Sequence, residues 1–171
     1  MGRQSTRANK NIYQTAREER GLTREKASDL MSGVSAARIE KIEYDLQEPT
    51  PYDIVQMADC YNRPDLCNYY CSNKCAIGFR YVPEIEVGEL PGIILETIAG
   101  LNEINDLTGR MIQIGRDGKI TDDEIKDFAV ISSKLDAVSL AIDSLNLWVE
   151  KTAGENNINM ELLKMEKERL K

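Results

Sequence analysis

Apolar positions in the first part of the chain recur in short helical registers, each opened by a residue able to cap a helix and closed by one that stops it. Asn11 with Gln14 three residues on has a capping-box pattern, and Gly21 suits the left-handed position after a helix, so the spacing predicts a first helix over about 11–20. Thr23 opens a second helix carrying Ala27, Leu30 and Met31; Ser32-Gly33-Val34 makes a tight turn, and Ser35 caps a third helix. There Ile39 and Ile42 fall on one core-facing stripe while Arg38 and Lys41 point elsewhere. Thr50, with Pro51 at the first helical position and Asp53 in the first turn, starts a fourth helix expected to bury Ile54, Val55, Met57 and Ala58. Pro64 opens a fifth near Asp65.

Gly78, Pro83, Gly88, Pro91 and Gly92 then crowd together as helix breakers, and they mark a linker at 77–89. Beyond it Ile94, Ile98, Leu101, Ile104 and Met111 keep helical spacing up to Gly115, a turn sits at Asp117-Gly118, and Thr121 with Glu124 restarts a helix. That helix carries the most regular pattern of the chain: Phe128, Ile131, Leu135, Val138, Ile142, Leu145 and Val149 alternate spacings of three and four, a heptad seam with Trp148 beside it. Such a seam demands a partner, so residues 90–152 are expected to form an antiparallel helical hairpin, coiled-coil-like, that dimerises through these side chains. Gly154-Glu155-Asn156-Asn157 interrupts the pattern, and 153–171 is a charged tail.

Composition narrows the class. With 42 % hydrophobic and 30 % charged residues in 171, the chain has the means to fold, and no apolar run reaches the roughly 20 residues of a membrane span. No apolar stretch follows the basic start, so the cytoplasm is the expected compartment. Histidine is absent, which excludes imidazole-based triads and metal sites, and no nucleophile–base pair or phosphate loop is visible, so no enzyme is expected. The net charge of −7 is uneven: residues 1–82 hold 12 basic against 11 acidic side chains, residues 83–171 hold 10 against 18. A basic arm at 1–10, with Arg3, Arg7 and Lys10, leads the less acidic half, a distribution that suits a local nucleic-acid contact.

The string Leu22-Thr23-Arg24-Glu25-Lys26-Ala27-Ser28, followed by Gly33-Val34-Ser35 and Ile39-Glu40-Lys41-Ile42-Glu43, resembles the XRE family, the Cro and phage-repressor type of helix-turn-helix. Glu48-Pro49-Thr50 and Ile54-Val55-Gln56-Met57-Ala58 extend the likeness over roughly residues 11–70. The resemblance implies a five-helix domain over 11–76 whose third helix, about 35–44, enters the major groove of double-stranded DNA. By position it assigns Ser35, Ala36, Ala37, Arg38 and Lys41 to the groove, and Thr23 and Arg24 to the phosphates. This sequence departs from the family pattern in a turn one residue longer, at Ser32, and in Asp45 where glycine is usual.

Cys60, Cys67, Cys71 and Cys75 fall within sixteen residues; three share a helical face, and Cys60 could complete a tetrahedral zinc site, the alternative being reduced core thiols. Asp117-Gly118-Lys119-Ile120-Thr121 with Glu124 mimics the second half of a calcium loop, but its first positions would be Gln113 and Gly115, so a plain turn is expected. The whole reads as an all-α protein, a five-helix XRE-type domain followed by a helical hairpin. Two functions follow: a homodimeric DNA-binding transcriptional regulator, or an adaptor whose heptad helices bind another protein. The acidic Glu40, Glu43, Asp45 and Glu48 put negative charge next to the presumed groove, while the ordered motif and the basic arm Arg3, Arg7 and Lys10 favour the first.

Overall fold

The computed structural model describes residues 9–155 and 157–170, so Arg3 and Arg7 of the expected arm lie outside the described residues, whereas Lys10 is among them. Regular structure there is entirely helical: α1 (Ile12–Glu19), α2 (Arg24–Leu30), α3 (Ala36–Glu43), α4 (Pro51–Tyr61), α5 (Asp65–Asn73), α6 (Gly78–Tyr81), α7 (Leu90–Ile114), α8 (Ile125–Gly154) and α9 (Met160–Arg169). Among the described residues no helix is long and apolar enough to cross a membrane. The chain divides into two compact units, Met1–Glu84 with Glu150–Lys171, and Ile85–Val149.

In the first unit the caps form where the sequence offers them. Asn11 Oδ1 accepts from the Gln14 amide at 3.0 Å, Thr23 Oγ1 from Lys26 at 3.2 Å, and Ser35 Oγ from Arg38 at 3.2 Å. Thr50 and Asp53 complete a reciprocal box in front of Pro51. The Gln14 side chain does not return to the Asn11 backbone as a box would require; it is buried and donates to Glu18 Oε1 at 2.9 Å. Asn11 instead uses its amide to reach α3, donating to Ile42 O at 2.8 Å and Asp45 Oδ1 at 3.1 Å. Asp45, at the position where the family has glycine, adopts φ +54°, a left-handed conformation that Asp tolerates better than most residues.

One core holds this unit together, built from Tyr13, Ala16, Ala27, Met31, Val34, Ile39, Ile42, Ile54, Met57, Ala58, Tyr61 and Leu66. On α4 the buried apolar positions are Ile54, Met57, Ala58 and Tyr61, a 3,1,3 spacing that leaves Val55 on the outer side, 48 % exposed rather than buried. Three expected breakers also fall inside helices: Gly78 opens α6, which lies within the expected linker at 77–89, and two more begin α7. α7 starts at Leu90, with Pro91 in its first turn, where a missing N–H costs nothing, and Gly92 follows within the same turn.

In the second unit Arg110 Nε meets Asp127 at 2.6 Å and Lys134 Nζ meets Glu103 at 2.8 Å, while a Cβ on Gly100 would lie 2.8 Å from Val138 Cγ2. Partners on α8 thus advance as positions on α7 recede, and Gly100 permits the close approach. Along α7 the row Leu90, Ile93, Thr97, Gly100, Ile104, Leu107, Met111 and Ile114 is buried or half-buried at spacings of three and four, with Arg110 half-buried beside it. This register is offset by one from part of the expected set: Ile104 and Met111 belong to it, and Ile94, Ile98 and Leu101 are exposed. The seam of α8 is split in the same way. Ile131 and Val138 are buried and Leu145, Trp148 and Val149 half-buried, but Phe128, Leu135 and Ile142 are exposed. Thr121 donates from its hydroxyl to Glu124 Oε2 at 2.8 Å, and α8 begins just after, at Ile125.

Urea unfolding checks the α4 assignment. Met57→Ala, which empties a fully buried site on α4, should cost about 2–5 kcal/mol, whereas Val55→Ala should stay within about 0.5 kcal/mol; equal losses would contradict the burial described.

Candidate nucleic-acid interface

The candidate surface is built on α2, the turn after it, and α3. Gly33 takes φ +75° at the turn, a conformation that an L side chain adopts only with strain. Ser32 is gripped from α4: its amide donates to Gln56 Oε1 at 2.8 Å and its carbonyl accepts from the Tyr52 hydroxyl at 3.1 Å. The extra residue in the turn is therefore accommodated by α4, and the α2–α3 pair stays closely packed.

Behind α3 lies a charged cluster taken out of water. Glu43 is 1 % exposed. Its Oε1 accepts from Arg17 Nε at 2.5 Å, and its Oε2 from Arg17 Nη2 at 3.0 Å and Arg24 Nε at 2.8 Å. Arg17 Nη1 also donates to Leu22 O at 2.5 Å, and the Arg24 guanidinium lies 4.8 Å from the Tyr44 ring centroid while donating to Glu40 Oε1 at 3.0 Å. Burial works against the Arg17 charge, but the hydrogen bond and charge of Glu43 outweigh it, and its pKa ends above the ordinary arginine value. Arg24 is raised in the same sense, burial being outweighed by Tyr44 and Glu43.

A second pair locks the front of α3. Arg38 Nη2 donates to Asp53 Oδ2 at 2.7 Å and to Glu48 O at 3.1 Å, and Asp53 Oδ2 also accepts from the Thr50 amide and hydroxyl, each at 2.7 Å. Burial raises the Asp53 pKa, but the Arg38 and Thr50 hydrogen bonds more than reverse that, leaving it below the ordinary aspartate value.

The seven residues assigned to DNA therefore separate into groups. Thr23 and Ser35 cap helices, and Ser35 remains exposed. Arg24 and Arg38 are half-buried and committed to carboxylates of their own chain, so they position α2 and α3. Ala36 is half-buried, and Ala37 and Lys41 are exposed on α3. Glu43, read from the sequence as a charge beside the groove, faces inward instead. The sequence reading missed Arg17 and Asp53 as the partners of these charges. A trace of them was present, since Arg17 follows Ala16 on the stripe of Tyr13 and Glu43 follows Ile42 on the stripe of Ile39, charges set among apolar positions.

The cysteines do not assemble. All four are half-buried free thiols, and among the described residues no three metal-ligating side chains come together. Cys60 Sγ points to Ala27 O at 4.0 Å, and Cys75 Sγ accepts from the Gly78 amide at 3.5 Å beyond the end of α5 at Asn73, which breaks the expected ladder. Burial pushes the Cys60 and Cys67 thiols up, away from the thiolate a metal needs. The calcium-like segment is a turn: Gly118 has φ +71° and Asp117 Oδ1 accepts from the Lys119 amide at 3.1 Å. Comparison with family models, curated proteins and solved structures finds no match to this chain.

Acid titration checks the α3–α4 lock. Because the Asp53 pKa is depressed in the folded chain, its contribution is complete above the ordinary value of 3.8 and disappears as pH falls through the lower folded value. Asp53→Asn should lower the melting temperature at neutral pH and flatten its decline below that value; an unchanged acid limb would contradict the lock.

Proposed function

We propose that the protein is a DNA-binding transcriptional regulator, not an enzyme, acting in the cytoplasm as a homodimer. The first unit is read as an XRE-type helix-turn-helix with α3 as the recognition helix, and the second as a coiled-coil-like antiparallel hairpin that joins two copies. The observation that carries the reading is the braced α2–turn–α3 pair, closed by Gly33 and held by Gln56 and Tyr52, with Ser35, Ala37 and Lys41 exposed along α3. In this mechanism Lys41 and Lys26, both exposed, supply positive charge to the backbone; Ser35 and the Ala37 methyl meet base edges, the methyl suiting thymine. Arg17, Arg24 and Arg38 hold the helices at the right angle and contribute to DNA binding through that geometry.

One observation favours a second reading, an interaction adaptor. Arg24 and Arg38 are both spent on internal carboxylates, and Leu30, Tyr52 and Val55 are exposed on the same unit. Gel shifts over genomic fragments separate the two. The regulator should retard DNA at low salt with an affinity that falls steeply as salt rises, and Lys41→Ala should reduce the salt slope by about 1 without changing the melting temperature. No retardation of any fragment at low salt would favour the adaptor.

A further inference from the structure

The second unit has two unlike sides. On one edge the ion pairs Arg110–Asp127 and Glu103–Lys134 join α7 to α8. Relative to the inward rows of each helix, the Glu103/Arg110 row of α7 and the Asp127/Lys134 row of α8 lie to one side. At 100° per residue, Ile94, Ile98 and Leu101 of α7 and Phe128, Leu135 and Ile142 of α8 fall to the other. In an antiparallel pair those two offsets coincide, so the six side chains form one side. Each is between 40 and 51 % exposed. The α7 rows continue it with Asn105, Thr108 and Ile112, none of them charged. At its loop end a mostly apolar cavity of about 300 Å³ is lined by Met111, Ile114, Phe128, Ile131 and Leu135, with Lys119 also in its wall.

We propose that this side is covered by a second copy of the chain, the two hairpins meeting face to face about a two-fold axis. The proposal deepens the dimeric reading above, on which it rests, by naming the face. Size supports it: nineteen residues from Ile94 to Ile112 span about 28 Å, and two helices side by side about 20 Å. That is roughly 560 Å² per copy and roughly 1,100 Å² for two, close to the lower bound of stable interfaces and at the upper end of the largest apolar patch on ordinary monomers. Charge supports it too. Apart from Lys119 at the loop-end cavity the face carries no charged side chain and offers little to phosphate or a basic peptide, while a second copy brings an equally apolar surface. A two-fold contact also closes on itself and leaves no apolar end to propagate. Asp136 and Asp143, one turn-width outside the Leu135/Ile142 row, place acid at the rim and disfavour an anionic lipid surface.

Light scattering on the full chain at micromolar concentration tests this directly. The wild type should weigh twice 19.3 kDa and keep that mass in high salt, since the contact buries no ion pair. L101E/L135E should fall to 19.3 kDa with its circular-dichroism helix signal intact, because both side chains are exposed in the single chain. E103A/K134A, on the opposite edge, should remain double. Should L101E/L135E lose helix, I98E alone carries the same test at one exposed position. A wild type at 19.3 kDa, a double mass retained by helical L101E/L135E, or dissociation by E103A/K134A alone would each overturn the proposal. Gel shifts distinguish it from the DNA reading: a monomer that retards DNA removes this face and leaves that reading, and a dimer that retards none does the reverse.

Discussion

The first unit depends on the burial of Glu43 between two arginines. Arg17 comes from α1, Arg24 from the start of α2, and Glu43 from the last turn of α3, so a single carboxylate fixes three helices at once. Such a pair adds little net stability over an apolar replacement, because desolvating the charges offsets much of their attraction, yet removing one partner costs about 3–5 kcal/mol. Its consequence here is geometric. Arg17 also binds Leu22 O ahead of α2, and Arg24 stacks on Tyr44 just past α3, so both ends of the α2–α3 pair are tied to the same point.

Arg38 with Asp53 does the equivalent work at the other end of α3. Asp53 serves the N-terminus of α4 and the guanidinium of α3 together, and the turn between α2 and α3 is held to α4 through Ser32. With both ends braced, the exposed positions of α3 are presented by a rigid frame. That is the arrangement a recognition helix needs, since a site loosely held on its scaffold loses selectivity first. It also ties Arg24 and Arg38, like Arg17, to carboxylates of their own chain, and leaves Lys41 as the exposed cation of α3.

Short-range chemistry made the helices of the first unit legible. Asn11, Thr23, Ser35 and Thr50 each announce a cap, Gly21 and Gly33 take the positive φ that glycine suits, and Ile39 with Ile42 marks the core stripe. Side-chain partners were not legible, because they join residues far apart: Arg17 and Glu43 are 26 positions apart, Arg38 and Asp53 are 15. A position-by-position resemblance assigns Arg24 and Arg38 to DNA and has no means of seeing the carboxylates that claim them. Zinc site and reduced thiols could not be told apart at the four cysteines for a related reason, as a spacing of four holds only while the helix lasts, and α5 stops at Asn73. In the second unit the periodicity located both helices, but apolar residues on two adjacent rows of each helix left the inward row undetermined. Gly100, a residue without a side chain to count, sits at the centre of the true α7 register.

In the proposed regulator Arg17, Arg24 and Glu43 form a fixed support and α3 meets DNA with its exposed face. Nitrogen-15 NMR of the full chain during titration with a retarded DNA fragment measures both parts at once. The amides of Ser35, Ala37 and Lys41 should shift on binding, while the Nε–H signals of Arg17 and Arg24 keep their downfield, exchange-protected positions. Large movement of those two arginine signals, or shifts confined to residues outside α2 and α3, would contradict it.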